Sequence, residues 1–161
     1  MPTLIANADI NQAVVNHIQS AGQFLLLVSP HWGYSEDLLK ALQRAEHNVF
    51  NIHLIYGNEG LQPEVRQKLS ELTLKSKKIK IYFYKNLNVK CYISESGCID
   101  ITNFNFEFTK RTDLELGILF SVPVNFKNPD SPEDTKFWNS TCDEAAIILN
   151  ASTLVDLNQK S

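Results

Sequence analysis

Strand and helix signals alternate through the first half of the chain, and this alternation is the feature that most restricts the fold. Phe24–Ser29 is a continuous apolar run, which is typical of a buried central strand, and Ser35–Glu46 shows a capped amphipathic helix pattern. A second strand is predicted over Asn51–Tyr56, a helix begins at Pro63, and a third strand follows over Ile79–Tyr84. Two successive strand–helix–strand units favour parallel pairing by right-handed crossovers, so the sequence predicts an α/β fold.

The chain changes direction after the third strand. The segment Lys85–Leu87 is too short for a crossover, so the next strand is expected to run antiparallel to Ile79–Tyr84. Val89–Ser94 and Cys98–Asn103 then form a hairpin whose turn is predicted at Ser96-Gly97. Both ends of this hairpin return to the edge where the parallel strands end, which is the edge that ligands favour in open α/β sheets.

Length and composition indicate one domain. The chain has 161 residues, of which 43% are hydrophobic, and we expect a single domain over 1–161 with a core from about residue 7 to 152 and a polar tail at 153–161. Asp9–Ala21 and Asp134–Ala151 are predicted as further helices, and Leu114–Val122 as a further strand.

The remaining composition signals concern location and cofactors. No apolar run is long enough to span a bilayer, no signal peptide is visible, and the 3 cysteines show no zinc-type spacing. We therefore expect a cytoplasmic protein with no metal, no cofactor and no membrane partner.

Four polar residues fall on the predicted hairpin. If Glu95 pairs with Cys98, Lys90 lies opposite Asn103 and Asn88 lies opposite Asn105, all on one face of the sheet. One ammonium and several amides make a plausible phosphate-binding set. The same spacing is also typical of the solvated face of an edge hairpin.

Local charge adds a second signal for a phosphate ligand. The net charge is −3, which gives no general attraction to nucleic acid, but no acidic residue occurs between Leu72 and Ser94. This window interleaves lysines with aromatic residues, a pattern that suits a phosphate backbone and equally suits a soluble loop before a strand. The basic residues are Lys75, Lys77, Lys78, Lys80, Lys85 and Lys90.

The hairpin resembles the phospholipase D superfamily. The family signature is His-x-Lys, four residues, Asp, and then a Gly-Ser-x-Asn element. Here NLNVKCYISESGCIDITNFNFEF carries Asn88-Val-Lys90, then Glu95, then Thr102-Asn103-Phe104-Asn105, and DLELGILF follows. The chain is similar to a bacterial single-motif subgroup. The resemblance implies a phospholipase D-like mixed sheet, with parallel strands plus the antiparallel hairpin, flanked by helices on both faces.

The resemblance also implies site residues and one large departure. In the family the motif histidine is the nucleophile, and this chain has Asn88 there; a carboxamide is neither basic nor a useful nucleophile. Lys90 and Asn105 match residues that bind phosphate oxygens in the family, and Asn103 adds an amide. Glu115 matches a carboxylate of the family, and the resemblance implies that it orients Lys90 or pocket donors, although a solvated strand end explains it equally well.

His31 is the remaining candidate for the pocket. It follows the first strand at the same sheet edge, so it either lines the pocket, where it could replace the missing histidine, or is a partly buried loop histidine. Trp32, Tyr56 and Lys85 are expected to rim the same site. Cys91 is expected in the core.

These features leave three functions open. The first is a catalytically degenerate phospholipase D-like protein that binds a phosphodiester, with nucleic acid as the expected ligand. The second is an active metal-independent nuclease or phosphodiesterase with an unusual nucleophile. The third is a regulatory subunit that pairs with an active paralogue. The resemblance implies a homodimer or such a heterodimer, and the aromatic segment Phe104–Phe108 is a candidate contact.

Overall fold

The computed structural model describes residues 3–6, 8–33, 35–104, 114–121 and 132–158. Its helices are α1 (Ala8–Ser20), α2 (Glu36–Asn48), α3 (Pro63–Lys75) and α4 (Pro132–Ala151). Its strands are β1 (Thr3–Ala6), β2 (Phe24–Val28), β3 (His31–Trp32), β4 (Asn51–Tyr56), β5 (Gly60–Leu61), β6 (Ile79–Phe83), β7 (Lys90–Ser94), β8 (Gly97–Phe104), β9 (Leu114–Ser121) and β10 (Thr153–Val155).

One mixed sheet organises the described part of the chain. It has 8 strands in the order β1-β9-β8-β7-β2-β4-β6-β10, and β3 and β5 form a separate two-stranded sheet. Strands β2, β4 and β6 are parallel to one another, whereas β7 is antiparallel to β2 and leads into an antiparallel run through β8 and β9 to β1. The predicted combination of parallel strands and an antiparallel hairpin is confirmed.

Helices cover both faces of the sheet, as predicted. Alternate residues of β2 point to opposite sides, so Leu25 and Leu27 join the core formed with α1, α2 and α3, and Leu26 and Val28 join a smaller core under α4. Side chains with no more than 2% exposure, such as Ile18 and Leu69, anchor the larger core. The α/β architecture thus follows from apolar runs long enough to be buried on two sides.

Two helix starts follow local rules that the sequence displays. Ser35 caps α2, and its hydroxyl accepts a hydrogen bond from the backbone N–H of Leu38 at 3.3 Å. Pro63 occupies the first turn of α3, where its missing N–H costs nothing. The buried residues of α3 are Val65, Leu69 and Leu72.

The hairpin runs in the predicted direction but has a different neighbour. Strand β7 pairs with β2, not with β6, and β6 lies between β4 and β10. The connection 84–89 therefore crosses the carboxyl ends of β4 and β2. Gly57 allows this connection to pass close to the end of β4, since a Cβ at position 57 would lie 2.9 Å from the Cβ of Leu87.

The hairpin register differs from the predicted one by two residues. Ser94 pairs with Gly97, so the two-residue loop is Glu95-Ser96, and Lys90 lies opposite Ile101 instead of Asn103. Side chains within and around the turn account for the shift. The Ser94 hydroxyl accepts a hydrogen bond from the backbone N–H of Ser96 at 3.1 Å, and the Glu95 carboxylate binds the start of β2.

Residues 153–158 lie within the range 153–161 that was expected to be a polar tail, and they contribute to the sheet and the core. Strand β10 pairs antiparallel with β6, with Thr153 opposite Phe83 and Val155 opposite Ile81. Leu157 is 8% exposed and belongs to the larger core. At the other end of the chain, strand β1 joins the sheet although it precedes residue 7, where the core was expected to begin. Within the described residues, no helix has the length and apolarity needed to cross a membrane.

Candidate functional site

A cavity of about 300 Å³ lies at the carboxyl end of β2. It is enclosed by α1, the start of α2, the β2–β3 connection and the first residues of β7. Its polar side chains are Asn11, Ser29, His31, Ser35, Lys90 and Tyr92, and its apolar walls include Ile10, Val14, Trp32 and Ile101. This position is the edge at which open α/β sheets bind ligands.

His31 is held in place by the backbone of the neighbouring loop. Its Nδ1 atom lies 3.2 Å from the carbonyl oxygen of Glu59 and 3.1 Å from that of Gly60. Strand β3 pairs with β5 here, with His31 opposite Gly60, so the ring lies beside the start of β5 and the residue that precedes it. His31 is an exposed residue, so the histidine is both oriented and accessible.

Buried hydrogen bonds fix the backbone on which His31 sits. Ser29 is 3% exposed, and its hydroxyl donates to the carbonyl oxygen of His31 at 2.7 Å. The indole N–H of Trp32 donates to the carbonyl oxygen of Ile55 at 3.1 Å, and the indole meets the ring of Tyr92 edge to face at 6.0 Å. The wall of the cavity is therefore preorganised.

Lys90 enters the cavity from the opposite wall. It is the first residue of β7, is half-buried, and lies opposite Ile101 in the hairpin. Among the described residues that line the cavity, it is the one side chain carrying a full charge at neutral pH, and none of them is a carboxylate. A positive charge on this wall of the cavity attracts an anion.

The other predicted site residues occupy several places. Asn88 is exposed and precedes β7, and it does not line the cavity. Asn103 lies in β8 with its Cα opposite that of Glu115 in β9. Asn105 lies outside the described residues, as does most of the aromatic segment Phe104–Phe108. The structure thus brings His31 and Lys90 together and leaves the roles of Asn88, Asn103, Asn105 and Glu115 as predictions.

Three of the residues expected around the rim have different positions. Trp32 is buried at 3% exposure and forms a wall instead of a rim. Tyr56 packs against Phe83 with ring centroids 5.4 Å apart, and Lys85 is exposed; neither lines the cavity. The contributions of Ser29 and Tyr92 were not predicted, although the alternation of Lys90, Cys91 and Tyr92 placed Tyr92 on the same face as Lys90.

The opposite face of the hairpin has a different character. Cys91 is 8% exposed under α4, as expected for a core residue, and burial together with nearby Asp100 raises the pKa of its thiol to about 12. Such a thiol is not a nucleophile at neutral pH. In the described ranges, no group of three or more His, Cys, Asp and Glu side chains could hold a metal ion.

The lysine-rich window does not form one continuous surface with the cavity. Lys75 to Lys80 lie before or at the amino end of β6, whereas Lys85 and Lys90 lie beyond its carboxyl end. Lys80 is the second residue of β6 and Lys85 follows the strand, so the two groups are about five positions apart, or roughly 16 Å at the usual rise per residue. Lys78 also has a structural contact, because its ammonium group donates a hydrogen bond to the carbonyl oxygen of Glu46 at 3.1 Å.

The fold is phospholipase D-like, as comparison with solved structures shows. Nuc from Salmonella typhimurium, described as a phospholipase D family member, matches with a TM-score of 0.65 at 15% identity, over 96% of this chain and 99% of its own. NucT from Helicobacter pylori matches with a TM-score of 0.67 at 13% identity, over 96% and 99% of the two chains.

A third match extends the fold to a chromatin protein. TrmBL2, an archaeal chromatin protein, matches with a TM-score of 0.70 at 9% identity, and the match covers 96% of this chain and 55% of TrmBL2. No protein-family model and no curated protein sequence matches the chain. At these identities the likeness establishes the fold.

Proposed function

We propose that this protein binds phosphodiesters, with nucleic acid as its ligand, and does not use the covalent histidine chemistry of the family that it resembles. The observation that carries the proposal is the placement of Lys90 and His31 on one cavity at the carboxyl edge of the parallel strands. An ammonium group attracts a phosphate as a point charge, and partial burial strengthens that attraction relative to open water.

The chemistry available at the motif position supports binding without a covalent step. Asn88 stands where the resemblance places the nucleophilic histidine, and a carboxamide cannot form a phosphohistidine. Its exposure and its absence from the cavity lining agree with a residue outside the reaction path. An incubation with a phosphorus-labelled diester, quenched in an alkaline denaturant that preserves a phosphohistidine bond, is expected to leave no label on the protein, and a labelled protein would contradict this part of the proposal.

The nature of the ligand is supported by one neighbour of the same fold. The structure of TrmBL2 is described as showing a novel mode of DNA binding, so this fold occurs in a DNA-binding protein. Lys85 lies at the same edge of the sheet as Lys90 and is exposed, which extends the positive potential beyond the cavity. A polyanion that passes over this edge would meet both lysines.

The central prediction concerns Lys90. In fluorescence anisotropy with a labelled single-stranded oligonucleotide, Lys90→Ala is expected to weaken binding about tenfold, which corresponds to about 1.4 kcal/mol. Loss of one phosphate contact is also expected to lower the slope of log K against log salt by about 0.7.

Lys40→Ala is the matched control. Lys40 lies on α2 in an exposed ion pair with Glu36 at 2.7 Å, away from the cavity, so the variant removes the same charge without touching the site. Thermal melting of both variants checks that the fold is retained. Equal affinities for the wild type and Lys90→Ala in folded samples would refute the proposed site.

A further inference from the structure

The hydrogen bonds of His31 determine which nitrogen of its ring carries the proton. Both partners of Nδ1 are carbonyl oxygens, of Glu59 and Gly60, and a carbonyl oxygen only accepts. Nδ1 must therefore donate. In the neutral imidazole, Nε2 then has a lone pair and no hydrogen, so it is an acceptor.

Residue 33 is a glycine and adds no side chain beside Nε2. A Cβ at Gly33 would lie 3.7 Å from Nε2 and 3.9 Å from Oε1 of Gln62, in ordinary van der Waals contact, and would narrow the approach of a ligand atom. Nε2 makes no hydrogen bond to any residue within the described ranges. His31, with its oriented ring, and Lys90 line the same cavity, so an acceptor and an ammonium group belong to residues that border one space.

A phosphate group cannot satisfy this acceptor, because the oxygens of an ionised phosphodiester are themselves acceptors. Lys90 suits the phosphate, and the neutral His31 ring suits a group that donates. A ligand that fits both must carry a hydroxyl or N–H donor next to its phosphodiester. In nucleic acids, the donor nearest to the phosphate is the ribose 2′-hydroxyl, which is also the group that distinguishes RNA from DNA.

We propose that the cavity selects RNA over DNA, with Lys90 contacting a phosphate oxygen and Nε2 of His31 accepting a hydrogen bond from the neighbouring 2′-hydroxyl. This inference rests on the proposed function, since it names the ligand of the same cavity. The anchor of Nδ1 on two backbone carbonyl groups is what makes the contact selective, because it keeps the ring from turning its donor nitrogen toward the ligand.

The test compares three probes of one sequence: oligouridine, oligodeoxyuridine and 2′-O-methyl oligouridine. All three have the same base, so differences in affinity report on the sugar. For the wild-type protein, RNA is expected to bind about 5-fold to tenfold more tightly than DNA, which is the effect expected of one additional hydrogen bond. The methylated probe has no 2′ donor and is expected to bind like DNA.

Two substitutions test the role assigned to His31. The amide of His31→Asn can replace the Nδ1 donor and so keep the bond to the loop carbonyl groups, but it has no atom at the position of Nε2. Its RNA-to-DNA affinity ratio is expected to fall to about 1. Gly33→Ala keeps the imidazole and places a methyl group 3.7 Å from Nε2, so it is expected to lower the ratio as well.

A control variant and two kinds of contrary result separate this inference from the proposed function. His47→Asn alters an exposed histidine near the end of α2 and is expected to keep the wild-type ratio. Equal binding of RNA and DNA by the wild type, or a full ratio in folded His31→Asn, would overturn the inference and leave the phosphodiester site intact. Failure of all three probes to bind would instead refute the proposed function itself.

Discussion

At the scale of single residues, the histidines show how burial changes the same side chain. His31 is exposed and anchored by one nitrogen, whereas His17 in α1 is 7% exposed and its Nε2 has no hydrogen-bond partner among the described residues. Burial lowers the pKa of His17 from 6.5 to about 4, and the nearby Glu95 carboxylate offsets only part of this effect. The folded protein thus holds His17 neutral where the unfolded chain would protonate it.

This difference predicts a pH-dependent stability. Because the folded-state pKa is the lower one, the unfolded state binds more protons as the pH falls from 6.5 toward 4, and stability is lost through that window. Urea denaturation of the wild type at pH 6.5 and pH 5 is expected to show a loss of about 2 kcal/mol from this residue. The His17→Leu variant should lose less free energy of unfolding between pH 6.5 and pH 5 than the wild type, by the amount that His17 contributes.

His47→Leu provides the comparison for this prediction. His47 is a histidine on α2 whose side chain is 80% exposed, so the variant should keep the pH dependence of the wild type. Taking the difference between the two variants removes the contributions of other titrating groups. The same pH dependence in both variants would show that His17 is not responsible.

At the scale of secondary structure elements, a single carboxylate joins the hairpin to the central strand. Glu95 lies in the β7–β8 turn and accepts hydrogen bonds from the backbone N–H groups of Gly22 and Phe24, the latter at 3.2 Å. Burial alone would raise the pKa of Glu95, but these backbone bonds, with that of Gly22 the largest, lower it below 4.5. The turn is thereby fixed beside the start of β2.

Removing this carboxylate should loosen the hairpin. Glu95→Ala leaves two backbone donors without their acceptor and is expected to cost about 1 kcal/mol at pH 7 in denaturant unfolding. Glu95→Gln keeps one acceptor oxygen and should cost less. Since the folded-state pKa is depressed, the advantage of the wild type should fade as the pH falls below 4.5. An unchanged stability for Glu95→Ala would contradict the structural role.

At the scale of the whole molecule, the C-terminal segment completes both the sheet and the core. Strand β10 covers the outer edge of β6, which would otherwise present unpaired backbone groups. Two residues beyond it, Leu157 packs into the core that α1, α2 and α3 share. The segment therefore stabilises the parallel half of the sheet. The cavity lies in this half, at the carboxyl end of β2.

Two leucines of this segment provide a matched pair of variants. Leu157 is 8% exposed and Leu154 is 61% exposed, so the same change to alanine has different consequences. Leu157→Ala is expected to lower the free energy of unfolding by about 2 kcal/mol, the low end for a buried leucine. Leu154→Ala should change it by less than about 0.5 kcal/mol. Equal effects in urea denaturation would show that residue 157 is not packed in the core.

Much of the architecture could be predicted because the signals are local. The strand Asn51–Tyr56 has the predicted bounds, Ser35 caps α2, and Pro63 opens α3. Each depends on a few neighbouring residues whose conformational preferences the sequence displays directly. The hairpin register was wrong by two residues because the Glu95 carboxylate bonds to backbone far away in the chain, and no local rule includes such a contact.

The sequence by itself determined the class of fold, the edge of the sheet at which a site would form, and Lys90 as the candidate cation. Only the tertiary structure decided that β7 lies beside β2 and that His31, instead of Asn88, lines the cavity with Lys90. It also decided which nitrogen of His31 is free to accept a hydrogen bond. The reason is physical: periodicity and caps act over one or two turns of chain, whereas strand order, cavity walls and tautomers depend on groups brought together from distant parts of it.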